Sequence, residues 1–216
     1  AFEMGIEKII NKAQKGEDTA EAFRHIIDMM QKILGSSWEP SSFDMLRSLT
    51  CNPDSKWTRY TQRILKDVDP HILKTFALNA GYEAGFRGYK TSLKMSEKYQ
   101  CNIPWIILMD PTTACNLHCT GCWAAEYGDK MNLSFDDMDR IVSEGKSLGI
   151  HAYLFTGGEP LIKKKELIKL CKKHKDCAFH AFTNGTLIDE EFCNDLLEVG
   201  NFFVSVSIEG FEESND

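Results

Sequence analysis

The stretch Pro104-Trp105-Ile106-Ile107-Leu108-Met109-Asp110-Pro111-Thr112-Thr113-Ala114-Cys115-Asn116-Leu117-His118-Cys119-Thr120-Gly121-Cys122 decides how this chain is read. Residues 105–109 are a short apolar run behind a proline, which suits a buried strand. The run leads directly into three cysteines spaced C-x3-C-x2-C. Downstream, the same order recurs three times. Residues 152–155 read as a strand and run into Thr156-Gly157-Gly158-Glu159-Pro160; residues 178–182 run into Thr183-Asn184-Gly185-Thr186; residues 202–208 run into Glu209-Gly210. Helical patterns separate these strands: one capped by Ser134 and running to about 148, a lysine-rich one over 163–173 with Leu161, Leu167, Leu170 and Cys171 on its apolar side, and one over 189–199. Strands alternating with helices of this length predict βαβ units and a parallel sheet with right-handed crossovers. In such a sheet the strand C-termini share one rim, and that rim carries the site.

Upstream, residues 1–100 read as helical throughout. Ile6, Ile9 and Ile10 open one apolar face, and Phe23, Ile26, Ile27, Met30, Ile33 and Leu34 recur at spacings of three and four. Asp18 suits the N-cap of that second helix and Gly35 its stop. Residues 36–42, with Pro40 and several serines, read as a connection. Residues 54–66 and 71–100 read as helices, the latter weakened in its middle by Gly81, Gly85 and Gly88. No fixed-period repeat or low-complexity tract stands out. The division expected is a helical region over 1–100 and an α/β region over 101–216.

A chain of 216 residues, 43% hydrophobic and 26% charged, can bury one sizeable core, or a core and a smaller helical module. The 25 Lys and Arg stand against 32 Asp and Glu, a formal charge of −7. Residues 1–100 hold 15 basic and 13 acidic side chains, and residues 101–216 hold 10 and 19. The acidic C-terminal half offers no general attraction for nucleic acid, so no nucleic-acid partner is expected. The longest apolar run, 103–109, is far below the roughly 20 residues of a membrane span, and the opening residues carry Glu3, Glu7 and Lys8, unlike a secretory signal. Of the 8 cysteines, three are bunched within 115–122. The expectation is a reducing, cytoplasmic protein with a metal or cluster site.

Thiolates are soft ligands that suit iron–sulfur clusters or zinc. Three of them on one tight loop can reach three corners of a cubane and leave one iron open. A structural zinc site with His118 or a distant cysteine as fourth ligand is the competing reading. It would make the chain a zinc-stabilised binding module, and a plain iron–sulfur electron carrier is a third possibility. Cys51, Cys101, Cys171, Cys177 and Cys193 read as ordinary thiols, the lysines of 163–175 as a solvated helix face, and His25, His71, His151, His174 and His180 as structural.

The cysteine spacing resembles that of the radical S-adenosylmethionine (radical SAM) family, and its flanks agree: Pro111-Thr112-Thr113-Ala114 leads in and Asn116-Leu117 fills the first gap. Gly157-Gly158-Glu159-Pro160 looks like the family's second-strand segment, Thr183-Asn184-Gly185 like its third-strand motif, and Ser205-Val206-Ser207-Ile208-Glu209-Gly210 like its fourth. The resemblance covers about residues 104–216. It implies a partial (β/α) barrel of the radical SAM type behind an all-helical N-terminal region. It implies that Cys115, Cys119 and Cys122 hold a 4Fe–4S cluster whose open iron takes the amino and carboxylate groups of S-adenosylmethionine. It assigns the S-adenosylmethionine contacts to Gly121, Gly157, Gly158, Glu159, Pro160, Thr183, Asn184, Ser205, Ser207 and Glu209. Glycines admit close backbone approach, Glu159 can supply charge or orient its loop, and the hydroxyl and amide groups suit the carboxylate or ribose. The implied activity is reductive cleavage to a 5′-deoxyadenosyl radical that takes hydrogen from a peptide, lipid or small-molecule substrate. Electrons would come from a donor such as ferredoxin or flavodoxin. Three departures stand out. Gly121 sits where an aromatic residue often precedes the last cysteine, a contact Trp123 could replace. Glu209 stands where Asp is frequent. Only about four of the usual six strands are present, without the Gly-rich fifth-strand segment, so the natural protein is expected to continue or the chain to be a fragment.

Overall fold

In the computed structural model, which describes residues 2–34, 38–122, 124, 131–208 and 210–211, contacts divide the chain into two units, 1–78 and 79–216. The apolar spacing of the first unit becomes five helices: α1 (Phe2–Gln14), α2 (Ala20–Leu34), α3 (Pro40–Thr50), α4 (Lys56–Asp67) and α5 (Pro70–Phe76). Ile6, Ile9 and Ile10 of α1 meet Ala22 and Ile26 of α2, with Leu65 and Leu73 packed against them. Helix starts follow capping chemistry. The cap position of α2 is Thr19, whose carbonyl accepts the Phe23 N–H at 2.9 Å, so Asp18 stands one residue before the cap expected of it and its carboxylate accepts from the Ala20 N–H at 2.9 Å; Ser55 caps α4, and Asp69 caps α5 by accepting from His71 and Ile72. Helix α3 corrects the reading of 36–42 as a connection: it starts inside that stretch, at Pro40. Proline fits a first turn because the N–H it lacks has no intrahelical partner there. Phe43, fully buried, anchors α3 and stacks on Trp38 at 5.9 Å. Gly35 lies outside the described residues.

The helix expected over 71–100 is α5, a π-helical stretch Ala77–Gly88 and α6 (Tyr89–Tyr99). All three glycines of its weakened middle fall in the π-helical part, where backbone hydrogen bonding departs from the α pattern.

The second unit then builds a sheet from β1 (Ile106–Met109), β2 (Ala152–Phe155), β3 (Ala178–Thr183) and β4 (Phe202–Val206), joined by α7 (Phe135–Ser147), a 3-10 turn Pro160–Lys163 with α8 (Lys164–Lys173), and α9 (Glu190–Val199). The order is β1-β2-β3-β4, every pair parallel. This is the architecture expected, and it sets four strand C-termini on one rim. Ser134 closes a full capping box with Asp137 at the start of α7, and Asp189 caps α9.

Period two divides the strand residues between two faces. Tyr153, Phe155, Phe179, Ala181 and Phe202 pack beneath α7, α8 and α9 with Met138, Val142, Leu167, Leu170 and Phe192. Phe179 stacks between Tyr153 and Phe155 at 5.5 and 5.8 Å. The opposite face carries Leu108 and Phe182, 55% and 46% exposed. No described helix is long and apolar enough to cross a membrane.

Carboxylates lace the helix layer. The Lys173 ammonium holds the Asp139 carboxyl below its ordinary value, Ser134 does the same for Asp137, and Lys164 for Asp189. A carboxyl depressed in the folded state stabilises above its unfolded pKa, and that contribution is lost as pH falls through the folded value. The melting temperature is therefore expected to hold level from pH 7 to 5 and fall below about pH 4. A thermal-denaturation series across that range checks it.

Candidate functional site

The rim loops are built in sequence from β1. After Met109 the chain turns at Asp110, whose carboxylate accepts from the Thr156 hydroxyl at 2.7 Å. It pairs with its own return through a bridge between Thr112 and Asn132. Thr113 N–H donates to Met131 O and Leu133 N–H to Pro111 O, both at 3.0 Å. The cysteine segment thus leaves and rejoins the sheet at one closed neck. On it, the Leu117 N–H donates to the Cys115 sulfur at 3.5 Å and the Cys122 N–H to Cys119 O at 3.2 Å. Gly121 takes a φ of 77° at an exposed position.

The glycine pair after β2 lies against that neck. Gly158 N–H donates to Thr112 O at 3.0 Å, and Glu159 N–H to Ala114 O at 2.8 Å. At Gly158 a Cβ would sit 2.1 Å from Ala114 O, a clash of backbone with backbone. Gly157 has a φ of 104°. These are the close approaches that require glycine. Gly158→Ala is expected to push Ala114, and with it Cys115, away from β2 and to lower the unfolding free energy by about 1–3 kcal/mol. Urea denaturation beside the parent chain measures this, and equal midpoints would contradict the packing described.

Glu159 is 1% exposed. Its carboxylate accepts from Leu161 N–H at 2.9 Å, from the Thr183 hydroxyl at 2.7 Å and from Asn184 N–H at 2.8 Å. It therefore caps its own turn through Leu161 and ties the β2 loop to the β3 loop through the two bonds from Thr183 and Asn184. Of the two roles expected, supplying charge or orienting the loop, the geometry fits orientation. Pro160, also buried, opens the 3-10 turn that Glu159 caps.

Thr183 is buried, and its hydroxyl is engaged with Glu159 and with the Gly185 N–H. The Asn184 side chain bonds across to the cysteine loop: its Nδ2 donates to Asn116 Oδ1 at 3.0 Å, while Asn116 Nδ2 donates to Thr186 Oγ1 at 2.8 Å. Asn116 and Thr186 were not among the expected contact residues. Ser205 bonds to His180 Nε2 at 2.8 Å, and burial pushes the His180 pKa down, which favours the neutral ring. Ser207 is exposed, and its N–H donates to Thr183 O at 2.8 Å. Glu209 and Trp123 lie outside the described residues.

All eight cysteines are free. Cys171 and Cys177 are core residues, and burial raises both thiols, that of Cys177 to about 12. Such thiols resist the ionisation a metal ligand needs. Cys115, Cys119 and Cys122 are exposed on one loop, so as a soft donor set open to a ligand they fit an iron–sulfur group. Among the described residues no three His, Cys, Asp or Glu side chains stand as a ready ligand shell. The fold brings these sulfurs to one loop without drawing them together. The lysines of α8 are largely paired: Lys164 with Asp189, Lys172 with Glu198 at 2.9 Å and Lys173 with Asp139 at 2.8 Å. They stitch α8 to α7 and α9.

Residues 109–215 match the family model described as the Radical SAM superfamily. The chain is 35% identical over 115 residues to Fe-coproporphyrin III synthase of Methanosarcina barkeri, spanning 51% of this chain and 29% of that protein. It is 30% identical over 115 residues to PqqA peptide cyclase of Bradyrhizobium diazoefficiens, spanning 51% and 30%. It is 30% identical over 126 residues to GTP 3′,8-cyclase of Clostridium perfringens, spanning 55% and 38%. The match thus covers about a third of the length of these relatives. Among solved structures, Streptococcus suis SuiB bound to S-adenosylmethionine is similar with a TM-score of 0.50 at 18% identity, covering 92% of this chain and 42% of that one. This last likeness is one of fold.

Proposed function

Because this chain belongs to the radical SAM superfamily through residues 109–215, we propose that it forms the cofactor-binding part of a radical SAM enzyme. On this reading Cys115, Cys119 and Cys122 hold a 4Fe–4S cluster, and the rim loops receive S-adenosylmethionine. When bound and reduced, the cluster would supply one electron to the sulfonium of S-adenosylmethionine, so that its C5′–S bond breaks to release methionine and leave a 5′-deoxyadenosyl radical for hydrogen abstraction from substrate. The backbone at Gly157 and Gly158 accepts the ligand's ammonium, with Gly121 and Pro160 flanking it. Glu159 and Thr183 hold the loops in register. Asn184, Ser205 and Ser207 offer amide and hydroxyl groups to the polar groups of the ligand, and Glu209 is assigned to the same set. The observation that carries this reading is the join between the cysteine loop and the glycine pair: Ala114, beside Cys115, accepts the Glu159 N–H at 2.8 Å.

The domain reading that goes with it is a helical region over 1–100 ahead of a partial barrel over 101–216. The proposed substrate is a peptide or small molecule, since the relatives include a peptide cyclase and a GTP cyclase, and a SuiB structure is bound to the precursor peptide SuiA. A ferredoxin or flavodoxin is the proposed electron donor, and the cytoplasm the proposed compartment.

The test is anaerobic reconstitution of the full-length protein with iron and sulfide, followed by dithionite and S-adenosylmethionine. The expected result is a brown protein that releases 5′-deoxyadenosine. A colourless zinc protein, or an intact cluster with no such product, would overturn the proposal.

A further inference from the structure

We infer that Asn116, Asn184 and Thr186 form a clasp that fixes the cysteine loop over the end of β3, and that they act as positioning residues for the cluster and for S-adenosylmethionine. The inference rests on the function proposed above and goes beyond it, because it moves Asn184 from ligand contact to loop positioning and brings in two residues with no expected role.

The clasp is a closed ring of directed bonds. Asn116 Nδ2 donates to Thr186 Oγ1 at 2.8 Å, the Thr186 hydroxyl donates to Asn184 Oδ1 at 2.6 Å, and Asn184 Nδ2 donates back to Asn116 Oδ1 at 3.0 Å. Each side chain both gives and receives, and the directions agree around the ring, so each bond polarises the next. The ring is held from below: Asn184 N–H donates to the buried Glu159 carboxylate at 2.8 Å, and Thr186 N–H to Asn184 Oδ1 at 2.9 Å. Asn184 Oδ1 therefore already accepts twice, and one of its two amide hydrogens is committed to Asn116, which leaves little for a ligand.

Cys115 sits between two ties. On one side Ala114 O accepts from Glu159 N–H, which fixes the loop to β2. On the other side Asn116 is fixed to the end of β3. The Cys115 backbone is thereby set against two strands, whereas the loop holding Cys119 and Cys122 extends beyond the clasp. Cys115 would thus be the most firmly placed of the three thiols that would hold the cluster, and the clasp would fix the loop on the side of the glycine pair.

The experiment compares Asn116→Ala, Asn184→Ala, the double variant and Thr186→Val in anaerobically reconstituted full-length protein. Thr186→Val is a near-isosteric change at an exposed position, so it opens the ring without threatening the fold. Iron and sulfide per chain should stay near the parent value, since every thiol remains. S-adenosylmethionine should bind about tenfold more weakly, as expected for losing a bond or two of ordinary strength. The change that the ligand induces in the electron paramagnetic resonance spectrum of the reduced cluster should be reduced or broadened. The double variant should be no worse than the weaker single one, because both open the same ring. Parent-like binding and spectra in Asn116→Ala and Thr186→Val would overturn the clasp. So would additive losses in the double variant, which would return Asn184 to direct ligand contact. A parent protein whose cluster spectrum ignores S-adenosylmethionine would overturn the functional reading, and the clasp's role with it; the parent control thus separates the two failures.

Discussion

Replacing Cys119 by alanine is expected to leave the polypeptide folded and strip it of its iron. The side chain is exposed, so its removal opens no cavity, and alanine keeps the backbone oxygen that accepts the Cys122 N–H at 3.2 Å. The two sulfurs left cannot hold three corners of a cubane. Iron per chain after reconstitution should fall to near background, while far-UV circular dichroism and melting stay at parent values. Cys171→Ala is the contrasting control. It truncates a core thiol that burial keeps protonated, so it should cost stability and spare the iron. Undiminished iron in Cys119→Ala would remove that residue from the ligand set.

The second large effect is expected at Glu159. Alanine there removes the acceptor of two buried donors, the Leu161 N–H and the Thr183 hydroxyl, and of the part-buried Asn184 N–H. Each unsatisfied group costs about 1–3 kcal/mol, so a loss of about 3–5 kcal/mol is expected, a large share of the 5–15 kcal/mol typical of a domain. Glu159→Gln keeps the volume and one acceptor oxygen and should fall between. Equilibrium urea unfolding of the three proteins reads this directly. If Glu159→Ala unfolded at the parent midpoint, the carboxylate would not be the anchor described here.

The α/β half was open to reading because its signals are local. Strands 152–155 and 178–182 are short apolar runs bounded by turn residues, and Ser134 and Asp189 announce their helices through capping chemistry that acts over three residues. Helix α3 was not legible in that way: Pro40 and its serines suit a connection and a helix start equally, and what decides is the burial of Phe43. The role of Glu159 was half legible. A carboxylate beside two glycines invites a ligand, and only its buried partners turn it into an anchor. The clasp was not legible at all, since Asn116 meets partners 68 and 70 positions away. The lysines of α8 read as a solvated face, but their partners lie on neighbouring helices that no local pattern reveals.

The exposed apolar residues on the second face of the sheet have a practical consequence. Leu108 and Phe182 present a greasy surface to water, and the outer edges of β1 and β4 have no strand partner among the described residues. Backbone groups at such margins recruit other polypeptides, and apolar patches do the same. Handled alone at high concentration, this polypeptide is expected to self-associate, and light scattering across a dilution series checks it.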